Sequence, residues 1–227
     1  MTKNKMNPAS LGFRVHTGWA AMIAVRPPSA SLLPTILDRR RVEMIVGTDP
    51  QDRRFAYHAA AKLTVDAAQR FVLETEKIAS SRAKDELAIA IRDLREGGYE
   101  VVASGTIVGN RPFSSPLEAT LRSHSLLHAA EGELFRQAII GASEALDVPV
   151  IRVPARELYP QAVKHLGVSI EIIRQRLAEL GRSVGKPWTQ DQKESLLVAL
   201  LAFGKGDLAF SGHNQCSSRV YIDGLEV

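Results

Sequence analysis

The stretch that decides the fold begins at Tyr99–Val108 (YEVVASGTIV). It continues through Pro116–Leu146 (PLEATLRSHSLLHAAEGELFRQAIIGASEAL) and ends at Val148–Val153 (VPVIRV). The first segment has the β-branched, apolar character of a strand. The second repeats its apolar residues with the 3.6-residue period of a helix. The third is a short, nearly continuous apolar run of the kind found in buried parallel strands. A strand, a long helix and a second strand make one right-handed crossover unit, so the fold class is α/β.

Upstream, Gly12–Val25 (GFRVHTGWAAMIAV) reads as one strand, with Phe13, Val15, Trp19, Ile23 and Val25 on one parity and Arg14 and His16 on the other. Residues 1–11 read as an arm, and Pro27-Pro28 as a break. Arg41–Gly47 reads as a second strand that stops at Thr48-Asp49-Pro50. From about His58 to Glu96 the pattern is helical, with Ser80-Ser81 as a candidate interruption and Gly97-Gly98 as the end. Helices are expected at about 155–166, 169–180 and 189–203. Residues 204–227 are polar, with only Arg219–Ile222 resembling a strand. The expected organisation is a single α/β domain over residues 1–203 and a polar tail over 204–227. The long helix 59–96 would be an appendage, offering a face to a second copy of the chain.

Composition narrows the class. The chain has 227 residues, 45% of them apolar and 24% charged, which suits a globular protein and excludes general disorder. The single Cys216 excludes a disulfide framework and any site built from several thiolates. No run approaches the roughly 20 apolar residues that span a bilayer, and the start lacks a signal-peptide pattern, so a cytoplasmic protein is expected. The net charge of +4 is unevenly spread. Residues 1–58 hold nine Lys and Arg against four Asp and Glu, whereas 97–150 hold three against six. The basic front, with Arg39-Arg40-Arg41 and Arg53-Arg54, is the feature that suggests nucleic acid as a partner.

The helix after Pro116 holds the candidate chemistry. At 100° per residue, His124, His128 and Glu131 fall within the face defined by Leu117, Leu121, Phe135, Ile139 and Leu146, while Glu133 points nearly opposite. Burying three polar groups without partners would cost several kcal/mol, so something must satisfy them. Three arrangements would do so: a hydrogen-bonded network, a general acid/base cluster, or a divalent metal held by His124, His128 and Glu131. His16, on the polar parity of the first strand, and His58, beside Tyr57, are candidates to join them. Asp191 lies in Thr189-Gln190-Asp191-Gln192, where Thr189 and Gln192 form a capping box and Asp191 complements the helix dipole. Trp188 reads as a packing residue.

Several runs also resemble a known superfamily. Arg14-Val15-His16-Thr17-Gly18-Trp19-Ala20, Val148–Pro154 with the later Ala162-Val163-Lys164, and Asp191–Ala199 occur in the order seen in the RuvC-type Holliday-junction resolvases of the ribonuclease H-like superfamily. The resemblance implies a mixed sheet flanked by helices, with helix 59–96 as an insertion. It also implies a nucleic-acid substrate and divalent magnesium, manganese or zinc. By likeness, Glu131 would match the middle acid, and Asp191 or Glu194 the last acids. The family's first-strand aspartate has no counterpart, because Gly12–Val25 contains no acid. The expectation is a ribonuclease H-like nucleic-acid-associated protein. It would be either a metal-dependent phosphodiester hydrolase using His16, His124, His128, Glu131 and Asp191, or a binding module on the same fold that has lost the nuclease acids.

Overall fold

The computed structural model describes residues 6–27, 34–47 and 51–204. The strand-like Arg219–Ile222, Cys216 and the rest of the polar tail beyond residue 204 lie outside the described residues. One five-stranded sheet has the order β3-β2-β1-β4-β5, formed by β1 (Asn7–His16), β2 (Trp19–Arg26), β3 (Thr35–Glu43), β4 (Tyr99–Val108) and β5 (Val150–Pro154). β1, β2 and β3 form an antiparallel meander, while β1, β4 and β5 run parallel.

The segment read as one strand over 12–25 is a hairpin. Thr17-Gly18 reverses the chain, Gly18 adopts φ +80°, and Val15 pairs with Ala20 and Phe13 with Met22. Partners across an antiparallel ladder share a face. Leu11, Phe13, Val15, Ala20, Met22 and Ala24 therefore enter one core, while Ile23 and Val25 enter the other. Across the turn the parity shifts by one, so Ile23 and Val25 lie on the face opposite Phe13 and Val15. The strand also begins earlier than expected, since Asn7 already pairs with Tyr99, so the described part of the expected arm is structured. The next strand lies at Thr35–Glu43 and not at 41–47. It is the sheet edge, where the charged run Asp38–Arg41 blunts further pairing and hides the strand from an apolar pattern.

The first helical region breaks before the long helix, not at Ser80-Ser81. A short α1 (Ala56–Ala60) is followed by Thr64 in an extended conformation and then by α2 (Val65–Glu96). The buried stripe of α2, Ala68, Val72, Thr75, Ala79, Ala83, Leu87, Ala90 and Leu94, packs on α4 and the sheet. Its small alanines permit close approach. Along this one stripe the long helix is covered within its own chain. Among the described residues, the large apolar side chains it exposes are the scattered Val65, Leu73 and Ile89.

β4 follows at the expected residues, and the helix after Pro116 is split. Ser123 is extended, which separates α3 (Leu117–Leu121) from α4 (His124–Ala145). The second face of the sheet carries α5 (Leu158–Leu166), α6 (Ile170–Val184) and α7 (Gln190–Ala202). Thr189 and Gln192 form the capping box of α7, and Ser169 caps α6. Trp188 packs against this face, and its indole N–H donates to Leu177 O at 2.8 Å. α7 lies directly on bare backbone. Gly12 of β1 and Gly105 of β4 are register partners beneath it, and Ser10 Oγ donates to Ala199 O (2.7 Å).

Candidate functional site

The carboxyl ends of the parallel strands form one edge of the sheet, and two polar clusters meet it from opposite faces. On the α7 face, His16 ends β1 and its Nε2 lies 2.9 Å from Asp191 Oδ1. One pleat earlier, Arg14 Nε lies 3.0 Å from Glu194 Oε2. Residues two apart on a strand meet residues three apart on a helix, so both pairs align. Trp19 stacks on His16 at 4.4 Å, and the Arg41 guanidinium lies 3.9 Å from the Trp19 ring centre.

On the other face, α1 and the start of α4 bring together His58, His124 and His128, with one ligand-capable atom from each within 4.8 Å of the others. His124 Nε2 and His128 Nε2 are 3.2 Å apart. Glu131 is wholly buried beneath them. Its Oε1 accepts from the His58 backbone N–H (3.1 Å) and from His58 Nδ1–H (2.8 Å). Its Oε2 has no hydrogen-bond partner and lies 3.9 Å from His128 Nδ1. His124 and His128 are exposed, so only Glu131 of the expected buried triplet is in the core. The first turn of α4 extends past the packed region, and the 3.6-residue period alone carries no information about where a sheet ends. Glu133 is turned away as expected, paired with Arg136 at 3.0 Å.

The structure therefore sorts the candidates into two groups. His124, His128 and Glu131 come together with His58, whereas His16 joins Asp191 on the opposite face. Strand parity explains the separation: Phe13 and Val15 point toward α4, so Arg14 and His16 must point toward α7. The Arg14–Glu194 pair was not anticipated, although the matched spacing of Arg14 and His16 with Asp191 and Glu194 was a usable signal. Beside the histidines, Tyr57 borders a cleft of about 360 Å³ lined also by Glu76, Ser80 and Gln137. Burial, with the charges of Glu76 and Glu131, pushes the Tyr57 hydroxyl up to about 12, and burial also raises Glu76.

The basic front is largely engaged within the chain. Arg39 donates to Gly185 O and Pro187 O (both 2.8 Å) and to Val184 O (3.1 Å), where a cation complements the carbonyls that end α6. Arg40 pairs with Asp38 and Asp93, Arg41 with Glu43, and Arg53 with Glu74. These arginines hold the fold and do not present a free phosphate-binding row. Arg39→Ala is expected to lower stability by about 1 kcal/mol in urea unfolding. A fall in nucleic-acid affinity at unchanged stability would contradict that assignment.

The meander of three strands, the parallel β1-β4-β5 portion and the helices on both faces define a ribonuclease H-like α/β fold. The Thermus thermophilus RuvC structure is similar at a TM-score of 0.50 and 11% identity, covering 85% of this chain and 90% of that one. T. thermophilus RuvC in complex with Holliday junction substrate is similar at a TM-score of 0.53 and 13% identity, covering 89% and 97%. No protein-family model and no curated protein matches the sequence.

Magnesium, one of the divalent metals that the resemblance implies, does not fit the residues present where β1 meets α7. Magnesium takes hard oxygen ligands. At the meeting of β1 and α7 the two carboxylates, Asp191 and Glu194, are each matched by a basic group, and β1 supplies no acid. Such half-exposed pairs are worth only about 0–1 kcal/mol each. The obstacle is thus not the strength of the pairs but the absence of an acid on β1, which leaves two carboxylates already in contact with basic side chains. The imidazole cluster has the opposite character, with three borderline nitrogen donors.

Proposed function

We propose that the protein is a nucleic-acid-associated protein on a ribonuclease H-like fold that does not cleave through a two-magnesium site. The observation that carries this reading is the double pairing of Arg14 with Glu194 and His16 with Asp191 at the carboxyl edge of the sheet. Association with nucleic acid is supported by the likeness, over most of both chains, to a RuvC in complex with a Holliday junction substrate. It is further supported by two exposed cations in the segments that follow α1 and β4, Lys62 and Arg111, which form no ion pair among the described residues. The protein then retains the scaffold and two of the acids that the resemblance leads one to expect, each held by a basic side chain of β1.

The direct test is a gel-shift assay at low salt on single-stranded, duplex and four-way branched DNA. Retention of at least one of these is expected, with affinity falling as salt rises because phosphate contacts release counterions. Absence of binding to all three at low salt would overturn the reading.

A further inference from the structure

We propose that His58, His124 and His128 bind one zinc ion through their Nε2 atoms, with Glu131 as the carboxylate that orients them from below. This differs from the ligand set expected from sequence, in which Glu131 would itself bind the metal with His124 and His128. The inference is independent of nucleic-acid association.

Four observations converge on it. Tetrahedral zinc with Zn–N bonds of 2.0–2.1 Å holds its nitrogen ligands about 3.3 Å apart, and His124 Nε2 and His128 Nε2 already stand at 3.2 Å. His58 completes the set, with its ring centre 4.6 Å from that of His128 and 5.4 Å from that of His124. The Nδ1 of His58 lies 2.8 Å from Glu131 Oε1, and a carboxylate there favours the tautomer with its proton on Nδ1, the one that presents Nε2 to a metal. This is the carboxylate–histidine arrangement that raises the basicity of a zinc-binding imidazole. Glu131 Oε2, buried and without a hydrogen-bond partner, faces His128 Nδ1 at 3.9 Å. A small rotation of that ring would let one carboxylate set the tautomers of two ligands.

A plain hydrogen bond between His124 and His128 explains the 3.2 Å separation, but not the third imidazole or the orphaned carboxylate oxygen. The donors also select the metal. Three imidazoles suit zinc and are a poor set for magnesium, which demands oxygen. Three protein ligands, two of them exposed, would leave a fourth position open to solvent, as in catalytic zinc sites and unlike closed structural ones.

The test is a titration of the full chain, without a polyhistidine tag, in which zinc is partitioned between the protein and a chromophoric chelator, with magnesium in parallel. Cobalt(II) spectra would report the coordination geometry. One equivalent of tightly held zinc, a tetrahedral cobalt spectrum and no competition by magnesium are expected. His124→Ala and His128→Ala, both at exposed positions, should weaken binding by at least about 100-fold, and Glu131→Gln by about 10–100-fold. His16→Ala, on the other face, should leave it unchanged. Several weak equivalents, an octahedral cobalt spectrum, or equal loss in His16→Ala would overturn the site. Undiminished affinity in Glu131→Gln would overturn the role given to the carboxylate.

Discussion

Replacing Gly12 by alanine is expected to destabilise the protein by about 3 kcal/mol or more. A Cβ at this position would lie 1.9 Å from Ser195 O, 2.7 Å from Ala199 N and 2.8 Å from Ala199 Cβ. The first two obstructing atoms are helix backbone, which cannot move aside as a flexible side chain can. Intrinsic strand preference acts the other way, since alanine is favoured over glycine in a strand by roughly 0.5–1 kcal/mol, so the clash decides the sign. Gly105, its neighbour across the ladder, would place a Cβ 2.5 Å from Val198 O. Both substitutions lift the same helix, so the double variant should cost less than the sum of the singles. Urea unfolding should show a lower midpoint at unchanged slope. A neutral or stabilising Gly12→Ala would mean that α7 does not lie on β1 as described. Because α7 carries Asp191 and Glu194, the positions of both edge ion pairs would then fall with it.

Glu131→Ala should cost about 2 kcal/mol in the metal-free protein. It removes the acceptor of two donors from His58 and empties a fully buried position. Water reaches the half-exposed His58 ring and limits the loss. Glu131→Gln keeps an oxygen in the same place and should cost less than about 1 kcal/mol. Thermal unfolding of the two variants, with a chelator present, separates a lost acceptor from a lost charge. If the glutamine variant is as unstable as the alanine one, then the negative charge, and not the acceptor, holds α1 onto α4.

The crossover unit was legible because its three segments each have one dominant period. β4 and the helical stretch after Pro116 emerged at the expected residues, apart from the break at Ser123. The front of the chain was less legible because two strands joined by a two-residue turn mimic one long strand. Parity shifts by one across such a turn, and neither Thr17 nor Gly18 is a strong enough break to reveal it. β3 leaves little trace in the sequence because an edge strand built around Asp38-Arg39-Arg40-Arg41 has no apolar signature. The arginines that looked like a polyanion-binding front were in fact partners of helix carbonyls and nearby acids, which composition cannot distinguish.

At the site, the inward choice of Glu131 over Glu133 followed from helical geometry alone. The grouping of His58, and not His16, with His124 and His128 required knowing that the β1–α7 contact and the α1–α4 contact lie on opposite faces. Asp191 carried a full local explanation as a helix-capping acid, and its contact with His16 lies 175 residues away in sequence. Long-range pairs of this kind leave no periodic trace in a single sequence.

In the proposed function, the contacts Arg14–Glu194 and His16–Asp191 occupy the edge where a magnesium-dependent cleavage centre would otherwise sit. The most direct measurement is strand integrity of branched, duplex and single-stranded DNA incubated with the protein in magnesium or manganese, beside Asp191→Asn. Intact strands with both proteins are predicted, under conditions where the gel shift shows binding. Magnesium-dependent cleavage by the wild type that disappears in Asp191→Asn would contradict the account.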